Sequence, residues 1–186
     1  MKALIFVKPS ERLPSKHLAI LCGEPMYRRI SRTLGETEYF ESVTLFSKYE
    51  GVEFEGISVV RDDSQGVLID SILRAIEIFG EFLAVGGDMP MIDSKLVSRL
   101  MKSYKGVPVA AVDYEGNIEP LFAVYNKSVL QSLLLHSKVN KRIFPFLEKE
   151  FKLVKFDEHE STGLFNVNTK DDLAKARKLM NCLETD

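Results

Sequence analysis

The sequence predicts a three-layer α/β sandwich built on a mixed, mostly parallel sheet. Two observations predict it. Short runs rich in β-branched and aromatic residues alternate with longer stretches of helical period. The 186 residues, 45% of them hydrophobic, are also enough to bury one continuous core. No internal repeat, low-complexity tract or Pro/Gly-rich linker marks a boundary. One domain over residues 1–186 is therefore expected, with an N-terminal half to about residue 106 and a C-terminal half from about residue 107.

Taken in order, the strands are expected at Ala3–Val7, Ser42–Phe46, Ile57–Arg61, Phe82–Gly86, Val109–Val112, Phe122–Tyr125 and Leu153–Phe156. Each is a short apolar or β-branched run bounded by polar or turn-forming residues. The clearest helices in the first part of the chain are Met26–Leu34, Val67–Phe79 and Ser94–Tyr104. In the second of these, Ile69, Ile72, Leu73, Ile76 and Phe79 form one apolar stripe that reads as core. A last helix opens at Thr169, a capping residue, with Asp171 and Asp172 at the positive end of its dipole and Lys175, Arg177 and Lys178 further along. The polar interval Asp113–Asn117 is expected to belong to a lobe that covers a cleft.

Composition limits the function classes. With a formal net charge of -2 and a pI near 6.0, the chain has no global basic field to hold a nucleic acid or an anionic membrane. The apolar run Ala3–Val7 is shorter than the roughly 7–15 residues of a signal-peptide core and far shorter than a ~20-residue membrane span. A soluble cytoplasmic protein is expected. Cys22 and Cys182 lie far apart and form no CxxC or metal spacing, which suits a reducing compartment and no disulfide.

In an open α/β sheet, ligands bind beyond the carboxyl ends of the strands. Two segments lie there. In "FLAVGGDMPMID", Phe82–Asp93, a buried strand runs out through Gly86 and Gly87 onto Asp88, and Pro90 fixes the chain just after it. Asp88 either caps a turn or holds Mg²⁺ beside substrate phosphates, since magnesium takes one or two carboxylates with phosphate oxygens and water. In "VKPSERLPSKHL", Val7–Leu18, the residues Lys8, Ser10, Arg12 and Lys16 converge on the end of the first strand. Such a loop can be a solvated surface, or it can serve a polyphosphate, with Arg12 pairing to oxygens and Lys16 supplying a point charge. Gly66 can present N–H groups to a nucleotide at the start of the second helix, where Asp70 compensates the dipole. His17, His136 and His159 are scattered, and His17 is expected at the surface. No P-loop or nucleophile elbow is present.

The segment "RLPSKHLAILCGEPMYRRI", Arg12–Ile30, resembles the signature of the nucleotide-sugar pyrophosphorylase-like nucleotidyltransferases. "GGDMPMI" (Gly86–Ile92), "EPLFAVY" (Glu119–Tyr125) and "FNVNTKDDL" (Phe165–Leu173) resemble the molybdenum-cofactor guanylyltransferase (MobA) branch. The resemblance implies a Rossmann-like sandwich of the nucleotide-diphospho-sugar transferase type. It also implies metal binding by Asp88, nucleotide-phosphate contacts from Arg12 and Lys16, and a site role for Asn166 and Asn168 on the acceptor side, where Glu119, set before a proline and a strand, can hold an acceptor group. Asn168 can equally make an Asx turn into the last helix, and Lys138, Lys141 and Arg142 can meet an anionic acceptor or simply line a solvated helix entrance. The chain has Lys8-Pro9 where such guanylyltransferases have a glycine pair, and its R-L-P-x-K loop is similar to that of cytidylyltransferases. The implied activity is Mg²⁺-dependent transfer of a nucleotide from GTP to a phosphorylated small acceptor such as molybdopterin, or alternatively from CTP to a sugar acid or another cofactor precursor. A non-catalytic nucleotide-binding protein is the remaining alternative. Oligomeric state is not legible.

Overall fold

A computed structural model describes residues 1–51 and 53–182. The strands are β1 (Lys2–Val7), β2 (Ile20–Leu21), β3 (Glu24–Pro25), β4 (Ser42–Ser47), β5 (Ser58–Arg61), β6 (Phe82–Gly86), β7 (Val109–Val112), β8 (Ile118–Tyr125) and β9 (Lys152–Lys155). The helices are α1 (Met26–Gly35), α2 (Leu68–Phe79), α3 (Ser94–Ser103), α4 (Leu130–Val139), α5 (Phe144–Glu150), α6 (Glu158–Ser161) and α7 (Lys170–Leu179). Seven strands form one sheet in the order β5-β4-β1-β6-β8-β7-β9, and β2 and β3 make a separate small hairpin. All neighbours are parallel except β8, which is antiparallel to both β6 and β7. The expected mixed, mostly parallel sheet is present, and strands from both halves of the chain share it.

Alternation along the strands divides the core into two layers. On one face Ala3, Ile5 and Val7 of β1 pack with Tyr27, Ile30 and Leu34 of α1 and with Leu96, Val97 and Leu100 of α3. On the other, Leu4 and Phe6 pack with the α2 stripe Ile69, Ile72 and Ile76 and with Phe146 and Leu147 of α5. Continuous burial of β6, whose five residues are all inaccessible, follows from its central place between these layers.

The C-terminal half departs from expectation at three points. β8 begins at Ile118 rather than Phe122, because Pro120, which has no N–H to donate, sits where the register with β7 shifts: Ala110 faces Ala123, but Ala111 faces Glu119. Buried Tyr125 donates its hydroxyl to the Pro120 carbonyl at 2.9 Å and ties this irregularity down. Asp113–Asn117 is a connection within the main sheet, and its last residue borders the groove described below. It is the tight turn joining β7 to β8, closed by Asn117 N–H on Asp113 Oδ1. Finally, Cys22 and Cys182 form a disulfide, Cα–Cα 4.9 Å, against the expectation of free thiols. The β2–β3 turn and the end of α7 meet because Leu13, Leu21, Met26, Val167 and Ala176 make a third small core, which brings together residues 160 apart in sequence.

Thr169 caps α7 as expected, accepting from Asp172 N–H while Asp172 accepts from Thr169 N–H. Asp70 likewise accepts from Val67 N–H at the start of α2. Among the described residues, no helix is long and apolar enough to cross a membrane.

Candidate active site

The sheet order reverses between β1 and β6. β1 extends the sheet through β4 and β5 on one side, and β6 extends it through β8 on the other. Loops leaving the carboxyl ends of these adjacent strands lead to α1 and α3 on one face of the sheet and meet around a crevice at this edge, where open α/β sheets bind ligands. Because β8 is antiparallel, its first residues lie at this same edge, which brings Glu119 to the ends of β1 and β6. The segment 166–168 returns to the crevice after β9, held by Val167 N–H on the Asp88 carbonyl at 2.7 Å.

Four distant pieces of sequence thus meet. Lys16 sits in a short 3-10 turn, Lys16–Leu18, entered through Ser15 at φ 53. Its Nζ donates to Asp88 Oδ2 at 2.5 Å and to Asn168 Oδ1 at 2.9 Å, with only 5% of the Lys16 side chain exposed. Asp172 accepts from the Asn168 and Thr169 N–H groups, and the Asn168 side chain accepts from Lys16.

His17 is not at the surface; it is 2% exposed. Its Nδ1 lies 2.8 Å from the Gly87 carbonyl and must donate there. Burial holds the ring below the usual imidazole pKa and so neutral, which leaves Nε2 to accept from Lys8 N–H at 3.3 Å. One imidazole thereby joins the β1 loop to the β6 loop. The fit requires a glycine at 87, where a Cβ would come within 2.6 Å of Val7 Cγ1 and 2.8 Å of His17 Nδ1.

Below this junction lies a recess of about 140 Å³, lined by Phe6, Lys16, Lys48, Asp62, Gly66 and Asp88 among others. Three of its polar residues, Asp62, Lys48 and Ser71, were missed in the sequence. Asp62, 6% exposed, follows β5 as Asp88 follows β6, and an acid just beyond a strand end was the available signal. Lys48, just beyond β4, lies 3.6 Å from Asp62 Oδ2 and donates to the Ser64 and Gly66 carbonyls and to Ser64 Oγ. Gly66 therefore meets Lys48 through its carbonyl.

Above the junction opens a groove of about 850 Å³ containing Lys8, Ser10, Arg12, Lys16, Asp88, Glu119, Asn166 and Asn168. All the acceptor-side candidates are brought here with the basic loop. Lys8 and Arg12 are exposed, whereas Ser10 accepts from Leu13 N–H and shapes the loop. Glu119 accepts from Asn166 at 3.5 Å; burial, reinforced by the charges of Asp113 and Asp88, pushes its carboxyl up to about 7. Lys138, Lys141 and Arg142 do not line the groove, and Lys141 pairs with Asp70.

Residues 10–152 match the MobA-like NTP transferase domain. The chain belongs to that family. It is 34% identical to a probable molybdenum cofactor guanylyltransferase of Natranaerobius thermophilus, across 91% of this chain and 90% of the relative. In fold it is similar to molybdopterin-guanine dinucleotide biosynthesis protein A from Archaeoglobus fulgidus, with a TM-score of 0.75 and 22% identity over 98% and 100% of the two chains. It is also similar to a cytidylyltransferase from Leptospira borgpetersenii, with a TM-score of 0.69 and 16% identity over 99% and 88%. Its fold class is thus that of NTP transferases acting with different bases.

In this MobA-like transferase the first strand runs out onto Lys8-Pro9. Pro9 has no N–H, and the Lys8 N–H is taken by His17. At these two positions the loop offers the crevice the Lys8 side chain and no backbone donor.

Proposed function

We propose that the protein transfers GMP from GTP to the phosphate of a molybdopterin-type acceptor, releasing pyrophosphate. The observation that carries this reading is the convergence of Lys16, Asp88 and Asn168 on one point between a deep recess and an open groove. The recess has room for a nucleobase and the groove for an acceptor, so the reacting phosphates fall at the junction. The names of the relatives support guanylyl transfer.

Base choice rests on Asp62. A carboxylate can accept from both N1–H and the 2-amino group of guanine, a donor pair that neither adenine nor cytosine offers. Lys48 braces the loop that carries Asp62 and Gly66. On the acceptor side, half-exposed Phe144 with Ile118 and Leu121 provides apolar surface for a flat heterocycle, while Lys8 and Arg12 lie near enough to hold its phosphate. The alternative base is cytosine, favoured by the R-L-P-x-K loop, which in this chain is Arg12-Leu13-Pro14-Ser15-Lys16.

Among the described residues, no group of three or more His, Cys, Asp or Glu side chains is placed to hold a metal ion. Magnesium needs none when phosphates complete its shell. Asp88 and Asn168 present two oxygens to one cation, at present the Lys16 ammonium, and this donor set fits Mg²⁺. When bound there, Mg²⁺ would neutralise triphosphate charge. Lys16, Lys8 and Arg12 orient the triphosphate and stabilise the charge that develops as it reacts. The acceptor's phosphate oxygen forms the new bond to the α-phosphorus as the bridge to the β-phosphate breaks, and the electron pair leaves with pyrophosphate. A phosphate monoester has a second pKa near about 6, so the nucleophile is already ionised at neutral pH and no general base is required.

Calorimetric titration with GTP, CTP, UTP and ATP, each with and without Mg²⁺, tests this function. Mg²⁺-dependent preference for GTP supports it. Preference for CTP moves the assignment to a cytidylyltransferase, and binding without pyrophosphate release in the presence of acceptor leaves a non-catalytic nucleotide-binding protein.

A further inference from the structure

We infer that Lys16 is a resident cation that closes the Asp88–Asn168 oxygen pair to bare divalent metal, so that metal enters only together with a triphosphate. The inference rests on the reading of Asp88 as a metal ligand and goes beyond it to the order of binding.

Three observations carry it. The Lys16 ammonium takes an oxygen of Asp88 and the amide oxygen of Asn168 at once, at 2.5 and 2.9 Å, the position a cation held by these two oxygens would need. The pair is secluded, with 5% of the Lys16 side chain and 19% of the Asp88 side chain exposed, so water screens the attraction weakly. The Lys16 backbone is also fixed from below. Its N–H donates to the Leu13 carbonyl at 3.1 Å, and its neighbour His17 is anchored to Gly87. A divalent ion arriving alone would have to displace this ammonium from both oxygens. Removing one partner of a buried pair leaves an uncompensated charge, and that cost opposes the exchange.

A triphosphate changes the balance. Lys16 borders both the recess and the groove, so its flexible four-carbon stem can swing Nζ from Asp88 to phosphate oxygens without movement of the backbone. The carboxylate is then free, and the phosphates supply the remaining oxygens. Lys16 is in this account both a phosphate ligand and the group that makes metal binding conditional on nucleotide.

The test uses the full chain and Mn²⁺ as the probe, with free Mn²⁺ followed by electron paramagnetic resonance. Wild-type protein, Lys16→Met, Lys16→Gln and Asp88→Asn are compared with and without a non-hydrolysable GTP analogue. Without nucleotide, K16M and K16Q should bind Mn²⁺ at least about tenfold more tightly than wild type, because the vacated carboxylate seeks a cation. Equal affinity in wild type and the Lys16 variants overturns the inference. If Asp88→Asn leaves nucleotide-dependent Mn²⁺ uptake unchanged, the metal reading itself fails, and the inference with it. Wild-type protein gives a reading that needs no variant to fold: the nitrogen-15 signal of Lys16 Nζ should stay in place with Mg²⁺ alone and move with Mg²⁺ plus the analogue. Movement with Mg²⁺ alone would overturn the closure.

Discussion

The Lys16 ammonium binds the Asp88 carboxylate at 2.5 Å across 72 residues of sequence, and it does so at the crevice between β1 and β6. If this contact marks the reacting phosphates, Asp88→Asn should reduce pyrophosphate release by about 10²-fold or more, the scale of losing one preorganised electrostatic contact to a transition state. Its circular dichroism should remain that of the wild type. Unchanged turnover would remove Asp88 from the site.

Guanine selection should reside in Asp62. Asp62→Asn keeps the size but loses one acceptor for the N1–H and 2-amino pair, at a cost of roughly 1.5–3 kcal/mol for a bond to a charged group. The preference for GTP over inosine triphosphate, which lacks the 2-amino group, should shrink in this variant. Equal preference in wild type and D62N, measured by calorimetry, would place base recognition elsewhere.

Glu119 supplies a pH signature. Burial raises its carboxyl to about 7, whereas in the unfolded chain it titrates near about 4.3. The folded state therefore keeps a proton that the unfolded state releases. Its stabilising contribution is complete below about pH 4.3 and is lost as pH rises through about 7. Glu119→Gln cannot ionise, so its melting temperature should fall less than that of the wild type between pH 5 and 8. Parallel profiles would show that the wild-type slope comes from other groups.

His17 couples two loops through a single ring, with Gly87 on one side and Lys8 on the other. His17→Ala should destabilise the fold by about 1–3 kcal/mol, because the buried Gly87 carbonyl and the part-buried Lys8 N–H lose a partner. It should also raise KM for nucleotide more than it lowers kcat. His17→Gln, which can donate and accept, should recover part of both. Denaturant melts and initial rates provide the check.

The Cys22–Cys182 disulfide closes a loop of 160 residues. Reduction, or the Cys182→Ser change, should lower unfolding free energy by roughly 2–4 kcal/mol. It should act first on α7 and the β2–β3 hairpin, read by amide hydrogen exchange. Uniform loss of protection would show that the third small core holds this corner without the bond.

What the sequence determined by itself is the content of local periods. Alternating and continuous apolar runs located every strand of the main sheet, and the α2 stripe and the Thr169 cap located their helices, because burial on one face and the satisfaction of end N–H groups act over a few residues. The strand-end position of Asp88 was legible for the same reason. Tertiary structure alone decided what depends on meetings between distant segments. Asp62 and Lys48 share a recess only because β5 and β4 pair. His17 is buried only because the β6 loop passes over it, and Cys22 reaches Cys182 only because α7 returns to the β2–β3 hairpin. β8 took in Pro120 because a register shift against β7 made room for a residue with no N–H. Such pairings are set by the packing of whole layers, and a linear pattern of residue types carries no term for them.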